Sequence, residues 1–200
     1  MTAKWICHPD DGRETRLVPI FRRGFSVKKP CKSAVLRLTA HGIYEAEING
    51  SPVTENKFAP GLTSYYHRIQ VQTYDVTALL REGENDLRVT VGDGWWRWNN
   101  NFGFVLALWG ELRLLYADES VETIITDESW NVGLGSIVRT DLQKGEVYDA
   151  RRAPFGQEAA QDLFHSPLLK KGHASRHPPR IAIWYCNTAA ARHQASTMKQ

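Results

Sequence analysis

One twelve-residue stretch, GDGWWRWNNNFG from Gly92 to Gly103, concentrates residue types that contact carbohydrates. Sugar sites place flat aromatic rings against the apolar face of a pyranose and planar polar groups against its hydroxyls. The rings here would come from Trp95, Trp96 and Trp98. The polar groups would come from Asp93, Arg97, Asn99, Asn100 and Asn101. The sequence therefore predicts a carbohydrate-binding segment.

The same tryptophans also fit a second interpretation. In an extended segment Trp96 and Trp98 would lie on one face, with Trp95 and Arg97 on the other. The three rings then cannot all lie in the core. Those outside the core must be exposed or covered by a partner. Exposed aromatic patches mark protein contacts as well as ligand sites. A surface that packs against a neighbouring domain is thus equally predicted.

Three carboxylates could hold a cation. Asp93 lies between two glycines, and GEVYDAR contributes Glu146 and Asp149. Calcium binds hard oxygen ligands of this kind, so calcium is the cofactor we would expect if these loops converge. The alternative is an ordinary surface ion pair of Asp149 with Arg151 or with another surface cation.

Autonomous catalysis is not expected. The chain lacks the G-x-S-x-G, H-E-x-x-H and G-x-x-x-x-G-K-[ST] motifs. Its 22 acidic residues produce many pairs by chance, so pairing alone does not predict two-carboxylate hydrolysis. We therefore predict no catalytic residues.

The elements that must position these residues are short strands. SAVLRLTA and IYEAEING alternate with a period of two, and the second ends in the hairpin signal Asn49-Gly50. TALLREGEND predicts one helical turn, capped by Thr77 and ended by Gly83. Regular short strands separated by turns favour an all-β fold, an antiparallel β-sandwich.

The pattern stops after Ala150. Residues 151–200 contain eight Lys or Arg and two acidic residues, whereas the first 150 contain 17 and 20. The basic balance therefore belongs to an irregular tail over 152–200, apart from a short strand at Ile181–Cys186. No basic stripe interleaves with aromatic residues, so no nucleic-acid partner is expected.

Nothing predicts a membrane association. The longest apolar run, Phe102 to Gly110, is too short to span a bilayer. The first residues, MTAKWICHPDDGRE, lack the apolar core and cleavage site of a secretory signal. The three cysteines form no C-x-x-C pair, which indicates reduced thiols. We expect a cytoplasmic protein.

Several motifs together resemble the N-terminal β-sandwich region of bacterial alpha-L-rhamnosidases, from about Trp5 to Arg151. These are PIFRRGFSVKKPCKSAVLRLTAHGIYEAEINGSPV, FAPGLTSYYHRIQVQTYDVTALLREGENDLRVTVGDGWW, TDESWNV and GEVYDAR. The resemblance implies a jelly roll of galactose-binding-like type over residues 5–151. It also implies that catalysis in the family belongs to a later (α/α) barrel, and that a related module binds L-rhamnose with calcium.

Two functions follow from the resemblance. The domain would contact a rhamnose-containing carbohydrate, or it would support the catalytic barrel of a full-length enzyme. The alternative is a structural fragment of a truncated gene product without independent activity. The abrupt change of composition after Arg151 is what a frameshift would cause, and the segment after GDGWW is shorter than in the family, so a complete rhamnose pocket is not expected.

Overall fold

The computed structural model describes residues 2–97, 102–152, 158–162 and 185–187. These residues form two facing β-sheets and a separate hairpin. The first sheet consists of β1 (Ile6–Cys7), β3 (Cys31–His41), β6 (Val71–Asp75), β8 (Ala107–Tyr116), β9 (Val121–Ile125), β14 (Gln161–Asp162) and β15 (Tyr185–Asn187). The second consists of β2 (Pro19–Val27), β4 (Ile43–Ile48), β5 (Ser51–Pro52), β7 (Gly83–Gly92), β10 (Asn131–Leu134) and β13 (Glu158–Ala159). The hairpin is β11 (Ile137–Asp141) and β12 (Gly145–Tyr148).

The strand order is β14-β1-β8-β3-β6-β15 in the first sheet, with β9 also paired to β8. In the second sheet it is β13-β10-β2-β7-β4-β5. The strand pairs are antiparallel, except that β15 runs parallel to β6. The predicted all-β, antiparallel sandwich is therefore confirmed.

Alternation along the strands divides the apolar residues between two faces. On β8, Leu108 and Leu112 belong to the main core, whereas Ala107 and Trp109 belong to a second cluster. Successive strand residues point to opposite faces, so the second cluster lies on the outer face of the first sheet. Its buried members are Trp5, Cys7, Tyr65, Ile69, Val71, Ala107 and Trp109.

The Asn49-Gly50 hairpin forms as predicted. Both residues have positive φ, 55° and 79°, which is the requirement of the two-residue turn that matches strand twist. The Asn49 amide donates to the Leu79 carbonyl at 2.9 Å and to Asn85 Oδ1 at 2.8 Å. The turn residue therefore also fastens the neighbouring loop.

The predicted helical turn is smaller than expected. It is a 3-10 helix over Thr77–Leu79, with Val76 at the N-cap and no side-chain cap. Thr77 does not cap it, because its hydroxyl accepts the Ala34 backbone N–H at 2.8 Å and donates to Asp75 at 2.6 Å. Gly83 instead begins β7.

The residues beyond 152 contribute strands at three places. β13 and β14 pair with β10 and β1 respectively, and β15 pairs with β6. The strand predicted at Ile181–Cys186 corresponds to Tyr185–Asn187; the remainder of the predicted tail lies outside the described residues. Within those residues no helix has the length and apolar character needed to cross a membrane.

Candidate functional site

The segment Asp93–Arg97 is a turn and not an extended strand. Gly94 has φ 51°, and the Arg97 backbone N–H donates to the Asp93 carbonyl at 3.3 Å. A Cβ at Gly94 would lie 2.6 Å from Ile43 Cγ2, so close packing against β4 as well as the left-handed backbone requires glycine. The predicted strand alternation of the tryptophans is therefore wrong.

Trp96 is partly buried and packs against both the main core and the outer-face cluster. Its ring lies parallel to His41 with centroids 4.0 Å apart, and it meets the edge of Tyr65 at 5.4 Å. Its indole N–H donates to the Val105 carbonyl at 2.9 Å. Because both its ring face and its polar group are used internally, Trp96 is a packing residue.

His41 is the centre of this stack. Trp5 covers its other face at 4.2 Å, so the imidazole lies between two indoles and is 5% exposed. Neither ring nitrogen has a hydrogen-bond partner in the described structure. Burial lowers the pKa of His41 to about 3. His41 is therefore a neutral aromatic residue at physiological pH.

Beside this cluster the surface is apolar and exposed. We call Phe58, Tyr66, Trp95 and Phe102 the aromatic patch. Trp95 is half-buried with its ring 6.1 Å from Phe58, and Tyr66 meets Phe102 at 5.2 Å. Phe58 is 56% and Tyr66 54% exposed, and Leu62 on the same loop is 59% exposed.

Of the residues in the aromatic patch, only Trp95 is among those predicted from the sequence to bind a carbohydrate. Phe58 and Tyr66 belong to FAPGLTSYYHR, the start of one of the motifs that carry the family resemblance. The sequence feature that indicates an exposed patch here is the presence of large aromatic residues in a loop, where strand alternation cannot bury them.

Asp93 and Arg97 form part of a buried ion cluster. Arg97 pairs with Asp11 and, at 3.3 Å, with Asp93, while Arg16 pairs with Asp93. Asp11, Asp93 and Arg97 are 0%, 2% and 3% exposed. Buried charges require such partners, so the two groups predicted to contact sugar hydroxyls are engaged in internal pairs.

Backbone hydrogen bonds complete the cluster. Asp11 accepts from the N–H groups of Leu17 at 2.9 Å and Leu106 at 2.8 Å. The Asp93 N–H donates to Thr140 Oγ1 at 2.8 Å. The cluster thus connects the loop after β1, the turn after β7 and the β11–β12 hairpin.

The three predicted metal ligands do not form one group. Asp93 faces arginines, and Glu146 is exposed on β12. Asp149 accepts from Arg151 Nε at 2.9 Å and Nη2 at 3.0 Å, and this guanidinium lowers the pKa of Asp149. The described residues contain no cluster of three or more His, Cys, Asp or Glu that could hold a metal. The residues present therefore do not fit calcium; the alternative ion pair is what the structure contains.

The structure thus places four of the predicted carbohydrate-binding residues: Asp93, Trp95, Trp96 and Arg97. Trp95 is at the surface, and the others are directed toward internal partners. The other four, Trp98, Asn99, Asn100 and Asn101, lie outside the described residues.

The fold and the apolar outer face define the chain as a β-sandwich domain with a second, solvent-adjacent hydrophobic cluster. Residues 29–170 match the family described as the alpha-L-rhamnosidase N-terminal domain. The chain belongs to this family, and the suspected resemblance is confirmed.

Comparison with individual proteins leads to the same family. An alpha-L-rhamnosidase of Streptomyces avermitilis is 41% identical over 134 residues, which cover 64% of this chain and 13% of the relative. The crystal structure of an alpha-L-rhamnosidase from Aspergillus terreus has a TM-score of 0.73 at 33% identity, covering 80% of this chain and 21% of that one. A Streptomyces avermitilis enzyme complexed with L-rhamnose has a TM-score of 0.69 at 36% identity, covering 73% and 16%. The chain therefore spans only a small part of the proteins it matches.

Proposed function

We propose that this domain supports the catalytic barrel of an alpha-L-rhamnosidase by packing against it through the aromatic patch. The observation that carries the proposal is the exposure of Phe58, Leu62 and Tyr66, each more than half exposed. Large apolar side chains that are this exposed mark interaction sites when they lie together on a surface. Aromatic side chains are also the typical anchors of protein interfaces.

The chemistry of the patch favours a protein partner over a sugar. Of the four residues of the patch, only Tyr66 and Trp95 carry a polar group, one hydroxyl and one indole N–H. The polar groups of the adjoining turn, Asp93 and Arg97, are buried in ion pairs. Sugar recognition needs several groups for hydroxyls, whereas the centre of a protein interface is depleted of charge and enriched in aromatic residues.

Trp95 supports a second candidate function, contact with a rhamnose-containing carbohydrate. Its ring is half-buried beside the exposed Phe58, and aromatic faces stack on the apolar side of sugars. The Streptomyces avermitilis relative whose structure contains L-rhamnose identifies the sugar to test first.

The packing function is tested by binding the chain to the Streptomyces avermitilis relative produced without its matched segment. We expect binding of the natural chain, a higher melting temperature of the truncated relative, and a large loss of affinity in a Phe58→Ser/Tyr66→Ser double variant. The matched control is Val121→Ser, since Val121 on β9 is 46% exposed outside the patch.

Equal binding by the double variant and the control would contradict the packing function. The packing function would also be contradicted if the natural chain did not bind a truncated relative that still unfolds cooperatively. Titration of the chain with L-rhamnose, followed by tryptophan fluorescence, tests the second candidate. There, Trp95→Ala should weaken binding by about 1–3 kcal/mol if the ring stacks on the sugar.

A further inference from the structure

A cleft of about 230 Å³ lies outside the aromatic patch and is lined by Gly12, Arg13, Arg16, Arg97 and Phe104. We propose that this cleft binds an oxyanion carried on a sugar ring, either the carboxylate of a uronic acid or a sulfate ester. The proposal does not depend on the packing function, because no lining residue belongs to the patch.

The charges around the cleft do not cancel. Arg97 and Arg16 are paired with the carboxylates of Asp11 and Asp93. These two cations and two anions leave Arg13 as an additional positive charge. Arg13 has no ion pair with any described residue, and its acidic neighbour Glu14 does not line the cleft. An anion entering the cleft therefore meets a net positive site.

Arg13 is held in an orientation suited to anion binding. Its guanidinium carbon lies 4.6 Å from the centroid of the Phe104 ring, a cation–π contact. A guanidinium that rests on an aromatic ring keeps its N–H groups available for hydrogen bonds at its edge. A guanidinium presented in this way can bind a carboxylate or sulfate through two parallel hydrogen bonds.

Arg16 adds two independent observations. Its φ is 43°, in the left-handed region that costs a non-glycine residue free energy and occurs preferentially at functional sites. Its Nε is buried and has no hydrogen-bond partner in the described structure. A small rotation of this guanidinium, which already lines the cleft, would give that N–H an acceptor on the ligand.

The size of the cleft limits the ligand. About 230 Å³ holds several water molecules at about 30 Å³ each but is below the roughly 300–1,000 Å³ of sites that enclose larger ligands. One sugar ring with its charged substituent is the fitting size, and Phe104 supplies an apolar wall for the ring. Membership in a rhamnosidase domain family makes a sugar the expected carrier of the anion.

The test is a titration of the ¹⁵N-labelled chain with D-galacturonate, D-galactose 6-sulfate and neutral D-galactose at low ionic strength. We expect the Nε–H signals of Arg13 and Arg16 to shift with at least one charged sugar and not with galactose. Binding should weaken with added salt, because an exposed charge contributes to it.

Arg13→Gln should weaken the binding of the charged sugar about tenfold, the loss expected for a charge-assisted hydrogen bond. Arg113→Gln is the matched control, since Arg113 is exposed on β8 and does not line the cleft. Unchanged amide signals from β3 would show that both variants remain folded.

The response to the two charged sugars identifies the source of the anion. A shift with galacturonate alone indicates a uronic acid, and a shift with the sulfated sugar alone indicates a sulfate ester. Equal shifts with neutral galactose would overturn the proposal. So would the absence of any shift at tens of millimolar charged sugar, or equal weakening by Arg13→Gln and Arg113→Gln.

Discussion

The imidazole of His41 lies parallel to the indole of Trp96, with an interplanar angle of 7° and centroids 4.0 Å apart. His41 ends β3 and Trp96 belongs to the turn after β7, so this stack fastens the turn to the outer face of the first sheet. Burial disfavours a protonated imidazole here, because neither ring nitrogen has a hydrogen-bond acceptor among the described residues.

His41 should make the domain sensitive to acid. Burial lowers its pKa from 6.5 to about 3, so between these pH values the unfolded chain binds a proton that the folded chain does not. The unfolding free energy associated with the neutral His41 is fully present above pH 6.5. It decreases as the pH falls toward 3. The loss is about 1.4 kcal/mol per pH unit.

Replacing His41 by Phe removes this titration while retaining an aromatic ring. The difference in unfolding free energy between the two proteins, measured by urea denaturation from pH 7 to pH 4, should move in favour of His41→Phe as the pH falls. Carboxylates titrate in both proteins and largely cancel in the difference. Parallel pH profiles would show that His41 does not titrate as the structure requires.

Arg97→Met should destabilise the domain by about 3–5 kcal/mol. The substitution leaves Asp11, which is 0% exposed, without its cationic partner, and breaking one side of a buried pair has a cost of this size. The control is Arg151→Met, which removes the surface pair with Asp149 and should change stability far less, because solvent screens such a pair. Similar melting curves for both variants would contradict a structural role for the buried cluster.

Gly103→Ala should displace the Trp96 ring. A Cβ at Gly103 would lie 2.1 Å from Trp96 Cζ2, and overpacking of this kind costs about 1–3 kcal/mol. At Gly24 the nearest atom would be 4.0 Å away, so Gly24→Ala should be neutral or stabilising by about 0.4–1 kcal/mol. Chemical denaturation gives the stabilities, and a shift in tryptophan emission should appear for Gly103→Ala alone.

The two described tryptophans of the turn should differ in their effect on folding. Trp96→Ala removes a ring that contacts His41 and Tyr65, and should cost about 3–5 kcal/mol. Trp95→Ala removes a half-buried ring whose neighbour Phe58 is exposed, and should cost about 1–2 kcal/mol. Thermal unfolding of both variants measures these two losses of stability. A larger loss for Trp95→Ala than for Trp96→Ala would assign Trp95, and not Trp96, to the folded interior.

The strands were predictable because each carries its own alternation. The pairing of β4 with β5 followed from Asn49-Gly50 alone. Trp130, in the motif TDESWNV, is 2% exposed. Its indole N–H donates to the Ile125 carbonyl at 2.8 Å. These features depend on residues close together in the chain, which sequence patterns report directly.

The site was less predictable because its contacts join distant segments. Arg97 was expected to face a sugar, yet its partner Asp11 lies in the loop after β1. His41 is far from Trp5 and Trp96 in the sequence, yet these two indoles stack on its two faces. Neither contact produces a spacing pattern in the sequence, because the residues that it joins are far apart in the chain.

The short strand β1 has a topological consequence. Ile6 pairs with Leu108 on one side and with Asp162 on the other, so the chain comes back beside the point where it entered the sheet. Domains whose entry and exit are adjacent tolerate circular permutation and insertion into other chains. The part of the sandwich from Ile6 to Asp162, without β15 at the opposite edge of the sheet, therefore has its two junctions on neighbouring strands, which suits insertion into a surface loop of an unrelated protein.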